Sequence, residues 1–125
     1  MQLMMNLKLL LPILLVILIT SCNSQINEYW ENGNIKTNIT YVGGDKTCYQ
    51  YKEFFESGKL KLEATYLNKK LHGDFIQYYE KGNVKLKRQY VNGLIDGIEI
   101  KYKDDGTVRF QSKYQKSKLI EQSEF

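Results

Sequence analysis

Proline and histidine occur once each in this chain of 125 residues, and cysteine occurs twice. The one proline, Pro12, lies in an N-terminal apolar stretch, so nothing after it interrupts regular backbone through a missing N–H. His72 stands alone and the cysteines are isolated from each other, so neither a metal-ligand set nor a cofactor is expected. Two cysteines, Cys22 and Cys48, make no disulfide framework, and the chain must hold by packing and hydrogen bonding. Cys48 is expected to be a passive turn residue or a partner in an intermolecular disulfide. Charge of one sign is scarce too: 18 Lys and Arg against 14 Asp and Glu leave a net +4. That excess is too mild for nucleic acid to be an expected partner. Gly-x-Ser-x-Gly elbows and glycine-rich phosphate loops are missing, and no enzymatic activity is expected.

Long apolar runs are limited to one, the eleven residues from Leu9 to Ile19. A spanning helix wants about 20 apolar residues, whereas a run of this length suits the core of a signal peptide. Beyond it the chain repeats. Gly33, Gly58, Gly82 and Gly106 recur at spacings of 25, 24 and 24 residues, and Tyr41, Tyr66, Tyr90 and Tyr114 form a second column eight residues on. Before each glycine stands an aromatic arm: Tyr29-Trp30, Phe54-Phe55, Tyr78-Tyr79, Tyr102-Lys103. After it residues alternate, as in Leu60, Leu62, Ala64, Tyr66 and Val84, Leu86, Arg88, Tyr90, which is a strand with one buried face. Each copy therefore reads as a β-hairpin closed by a glycine turn. The copies join through segments ending in Gly73 and Gly97, expected to be turn glycines as well.

Two sets of side chains follow from the alternation. The tyrosine column should lie on the apolar face, shielded by curling of the sheet, by its own aromatic arms or by a partner for which it is a recognition surface. Lys36, Lys61, Lys85 and Arg109 should stand on the opposite face, as a ladder with steps of about 9.5 Å. Such a ladder either meets lipid phosphates or an acidic polymer, or is a solvated face that deters aggregation.

Two resemblances extend this reading. Ile19-Thr20-Ser21-Cys22 resembles the bacterial lipobox, which implies acylation of Cys22, cleavage before it, and a membrane anchor; a plain signal anchor is the alternative. Asn23 after that cysteine, in place of aspartate, is similar to the default for outer-membrane delivery in a Gram-negative cell. Tyr78-Tyr79-Glu80-Lys81-Gly82-Asn83-Val84-Lys85, followed by Tyr90-Val91-Asn92-Gly93 and Gly97, resembles the MORN repeat variant and the YwqK-type antitoxin-like proteins. The likeness implies an all-β antiparallel meander of about four MORN-like hairpins in a single twisted, elongated sheet. Lys103-Asp104-Asp105-Gly106-Thr107 approaches the Asp-x-Asp-Gly-Thr signature of haloacid-dehalogenase phosphatases, but Lys103 occupies the nucleophile position.

The expected organisation is a lipoprotein signal peptide at 1–21, a lipidated tether at 22–27, the repeat domain at 28–121 and a short tail at 122–125. The expected function is that of a membrane-anchored, non-enzymatic binding or scaffold module in the bacterial cell envelope, with a protein partner. The alternative is an envelope-anchored immunity protein that binds a toxin.

Overall fold

The computed structural model describes residues 24–125; the signal segment and Cys22 lie outside the described residues. Nine strands follow in chain order: β1 Gln25–Tyr29, β2 Ile35–Val42, β3 Cys48–Phe54, β4 Leu60–Leu67, β5 Lys70–Tyr78, β6 Val84–Val91, β7 Leu94–Tyr102, β8 Val108–Gln115 and β9 Lys118–Glu124. They form one sheet in the order of the sequence, and all neighbours are antiparallel. The sheet is wider than the expected 28–121 domain, taking in residues assigned to the tether at one end and to the tail at the other. β1 and β9 do not pair, and close contact is confined to consecutive strands, so the sheet is open.

Two turns alternate along this meander. The first follows the odd-numbered strands β1, β3, β5 and β7, and its four glycines occupy corresponding environments. Gly33, Gly58, Gly82 and Gly106 have φ of 85°, 82°, 106° and 89°. Each donates its amide to the carbonyl three residues back (Trp30, Phe55, Tyr79, Lys103) at 2.8–3.0 Å. The left-handed backbone at this point is why glycine recurs. The second turn needs only two residues: Asn68-Lys69, Asn92-Gly93 and Lys116-Ser117 all have positive φ at both positions. That is the type I′ geometry, whose twist matches that of the flanking strands. Only the first such connection, between β2 and β3, is longer and irregular.

Gly73 and Gly97 are not in these turns. They lie inside β5 and β7, where three residues oppose one on the neighbouring strand: His72-Gly73-Asp74 face Thr65, and Asp96-Gly97-Ile98 face Gln89. Their φ of 91° and 118° marks a bulge. Tyr90 is the Cα partner of Gly73 and Tyr114 that of Gly97.

A second bulge opens every even-numbered strand. Glu28 pairs with Thr37 and Tyr29 with Ile35, leaving Lys36 unopposed; Lys61, Lys85 and Arg109 are left over in the same way in β4, β6 and β8. The extra residue reverses the alternation. Ile35, Leu60, Val84 and Val108 pair with the first residue of each aromatic arm on one face, while the rest of each strand keeps its apolar column on the other.

The face bearing the tyrosines is crossed by one unbroken row of Cα partners. It runs Ile26, Ile39, Tyr51, Ala64 and Phe75 over β1–β5, then Arg88, Glu99, Ser112 and Gln122 over β6–β9. The row changes from apolar to polar at its midpoint. With one layer, little is fully enclosed: Ala64 and Leu86 are the buried apolar residues, and Asn38, Glu99 and Ser112 the buried polar ones.

Repeats are also bonded to one another outside the strand ladder. Trp30 Nε1 donates to Phe54 O at 3.2 Å, Tyr79 OH to Tyr102 O at 2.9 Å, and Lys103 Nζ to Phe125 O at 3.3 Å. Asn34 and Asn83 reach from one glycine turn to carbonyls of the next, Glu56 O and Asp104 O. Phe55 and Lys59, at the matching positions of the second repeat, make neither bond.

Candidate binding face

Tyrosine rings on the edge nearest the two-residue turns follow directly from the register. Tyr41 pairs with Tyr49, and Tyr49 with Tyr66. The Tyr49 and Tyr66 rings stack at 4.9 Å and 6°, and Tyr41 meets Tyr49 edge-on at 5.6 Å. Tyr51 closes on Tyr66 edge-on at 6.3 Å, and Phe75 on Tyr90 at 5.8 Å. Of the four tyrosines in the sequence column, Tyr41 and Tyr66 are therefore bridged by Tyr49, while Tyr90 and Tyr114 are the Cα partners of bulge glycines. All four are half-buried. The sheet is open, with β1 and β9 unpaired, and no second layer packs on this face among the described residues. Tyr49 stands where the next two repeats have the bulge glycines Gly73 and Gly97, and its ring gives Tyr66 a stacking partner.

The irregular 43–47 connection hangs beside this cluster. Asp45 accepts from Thr47 N at 3.1 Å and Thr47 Oγ1 at 3.0 Å. These two bonds, the backbone one first, hold the Asp45 carboxyl below its ordinary pKa. The turn carries Lys46 Nζ to 5.5 Å from the Tyr41 ring centroid. An open depression of about 760 Å³ results, with Tyr41, Tyr49, Lys46 and Lys69 on its walls.

The cations are not on the opposite face. Each is the unopposed residue of its bulge, and a bulge re-aims the side chain it carries. Lys36 Nζ lies 4.8 Å from the Trp30 centroid, Lys61 Nζ 5.9 Å from Phe55, and Lys85 Nζ 5.6 Å from Tyr79. Arg109, whose arm offers Lys103 instead of a ring, lies 5.1 Å from Phe110. Lys61 also reaches Glu53, 2.6 Å away, which shares a face with Leu62. The cations thus form a ledge along the glycine-turn edge of the tyrosine face, each resting on an aromatic.

Between ledge and tyrosines sits an ionic group that alternation alone does not announce. Arg88 clasps Glu99, Lys101 Nζ is 3.4 Å from Glu99 Oε1, and Arg88 Nη1 donates to Tyr90 OH at 3.0 Å. Glu99 is 1% exposed. The one sequence signal for it is the arginine in an otherwise apolar column.

On the reverse face Tyr78 OH donates to Glu63 Oε1 at 2.5 Å. Burial first, then this carboxylate, pushes the Tyr78 hydroxyl up to about 12. His72 stays in its bulge, with Nδ1 3.4 Å from Asn92 N.

Residues 50–68 and 71–92 match the family model for the MORN repeat variant. Two segments of the central repeats are thus similar to the MORN repeat variant. Each match takes in most of an odd-numbered strand, its glycine turn and the even-numbered strand after it, so the matched unit is one hairpin with its bulge cation. The outer hairpins share the turn and bulge geometry outside the matched segments. No curated protein matches the chain in sequence. One solved structure, described as "Crystal Structure of TarM", is similar over 78% of this chain with a TM-score of 0.48 and 13% identity. The chain spans 20% of that protein's length.

Proposed function

We propose that the MORN array is a non-enzymatic binding module, held at the bacterial envelope by acylation of Cys22 and offering its tyrosine face to a protein partner. The observation that carries this reading is the open sheet: the face with the Tyr41–Tyr49–Tyr66 cluster has no second layer of its own among the described residues. Tyrosine suits such a surface, since its ring buries apolar area while its hydroxyl tolerates water. Two or three acyl chains at about 0.8 kcal/mol per buried CH₂ make a durable anchor. With β1 starting at Gln25, a chain anchored at Cys22 rides close to the bilayer.

The test is capture from detergent-solubilised envelope by the full chain, beside a Tyr41→Ser/Tyr66→Ser variant with the same far-UV spectrum. A partner retained by the wild type and lost by the variant supports the reading; capture indifferent to the tyrosines removes it. Labelling with a radioactive fatty acid tests the anchor independently, and Cys22→Ala must abolish the label.

A further inference from the structure

The bulge cations share one geometry but differ in what stands beside them. Eight residues before each is a side chain in the same register position, giving the pairs Glu28/Lys36, Glu53/Lys61, Gln77/Lys85 and Lys101/Arg109. Glu28, Glu53, Gln77 and Lys101 are the Cα partners of Thr37, Leu62, Leu86 and Phe110, the residue after each bulge. Along the array the neighbour changes from acid, to acid, to amide, to base. In the second repeat the acid does what its position permits, and Glu53 Oε1 lies 2.6 Å from Lys61 Nζ. In the third and fourth repeats the same place holds no carboxylate.

A depression of about 240 Å³ opens between those two repeats. Lys85, Lys101 and Arg109 converge on it, Tyr79 and Phe110 wall it, Tyr102 borders it, its carbonyl accepting from Tyr79 OH, and no acidic residue lines it. Among the described residues neither Lys85 nor Arg109 has an ion-pair partner. Lys101 touches Glu99, but Arg88 already holds that carboxylate. Glu124, the Cα partner of Phe110 on β9, is a carboxylate of the same row; it lies outside the lining and is ion-paired with none of the three. Lys85, Lys101 and Arg109 are exposed, so their mutual repulsion is modest and screened by salt, and an anion between them relieves it.

We propose that this depression binds a phosphoryl group carried on an aromatic or apolar body. Glu53 is the internal stand-in: its carboxylate occupies in repeat two the place the ligand's oxyanion takes between repeats three and four. Three cations exceed what one carboxylate neutralises, and the planar fork of Arg109 suits two oxygens of one phosphate. The aromatic walls receive the body that carries it. This site lies at the glycine-turn edge, away from the tyrosine cluster, and requires neither the lipid anchor nor a protein partner.

Titration of the full chain in neutral detergent micelles with phenyl phosphate, at low ionic strength and followed by backbone amide shifts, tests it. Saturable shifts at Lys85, Lys101 and Arg109 are expected. Arg109→Gln should weaken binding about tenfold or more, the size of a lost charge-assisted hydrogen bond. Gln77→Glu should do the same by giving Lys85 the counter-ion that Lys61 has. The reciprocal Glu53→Gln should uncover Lys61 and create a second response there, which no merely structural role predicts. Inorganic phosphate should bind more weakly than phenyl phosphate. Vesicles of phosphatidylglycerol separate the sources: retention that Arg109→Gln abolishes identifies a lipid headgroup, and retention absent or unchanged identifies a soluble phosphate ester. The proposal is overturned if phenyl phosphate gives no saturable shift, if Gln77→Glu and Arg109→Gln bind as the wild type does, or if inorganic phosphate binds as tightly.

Discussion

Removing Glu99 should be among the most damaging single changes in the sheet, and the structure sets the size. Its carboxylate is shared by the Arg88 guanidinium and, 3.4 Å away, by the Lys101 ammonium. Glu99→Ala leaves those two cations facing each other where the acid was 1% exposed. Breaking a buried pair by deleting one partner costs about 3–5 kcal/mol. The Arg88 side chain keeps 22% exposure, so some water reaches it and the lower end, about 3 kcal/mol, is expected. In a domain of this size each kcal/mol moves the melting temperature by about 4–8 °C, so the loss should be roughly 12–24 °C. A large single effect does not by itself identify the pair, and the decisive arm is Arg88→Leu/Glu99→Leu. The row is free of charge from Ile26 to Phe75, so an apolar replacement continues an existing pattern and should return stability to within about 1 kcal/mol of the wild type. Urea unfolding followed by far-UV circular dichroism measures all the variants, with equal m values required. If Glu99→Ala costs less than about 1 kcal/mol, or the double variant is no more stable than the single one, the reasoning is refuted.

Two further outcomes follow from local geometry. Lys69 and Ser117 both sit at φ near 65°, where the third repeat has Gly93. Lys69→Gly should therefore stabilise by about 1 kcal/mol, while Ser117→Gly should gain little because Ser117 Oγ accepts from Ile95 N at 3.1 Å; thermal melts that rank them the other way refute the turn assignment. Tyr78 is held neutral to about 12, against about 10 in an unfolded chain. A raised folded-state pKa means that its contribution is complete below pH 10 and is lost as pH rises towards 12. Stability should fall over that window, and Tyr78→Phe should flatten the fall; an unchanged slope removes the Glu63 hydrogen bond from the account.

Much of the fold was legible because its two signals are local. A glycine at φ near +85° and a period of two are both written within a few residues, and a copy every two dozen residues confirmed them several times over. The tyrosine column was legible for the same reason. What escaped was anything decided by pairing. Whether Gly73 closes a turn or relieves a bulge depends on how many residues of β5 face Thr65, and that is a property of two strands. The cations were assigned to the wrong face because alternation was carried straight through Lys36, Lys61, Lys85 and Arg109. A single unopposed residue reverses every side chain beyond it. Glu99 was missed because its partner Arg88 lies 11 residues away across a turn, in a column otherwise read as apolar.

The bulge gives the repeat its freedom to differ. Because the extra residue occupies the same place in all four hairpins, the backbone delivers a cation to the same ledge whatever stands eight residues earlier. Exchanging Glu53 for its counterparts Gln77 or Lys101 alters charge without disturbing a ladder hydrogen bond. Stability in such an array is carried by the turns, the bulges and the contacts between neighbouring strands, all set by a few fixed positions. The remaining positions can then be neutral in one repeat and charged in the next, as the central row is when it passes from Phe75 to Arg88. The two halves of one sheet thereby present different chemistry on one scaffold, with stacked rings towards β2–β4 and uncompensated cations towards β6–β8.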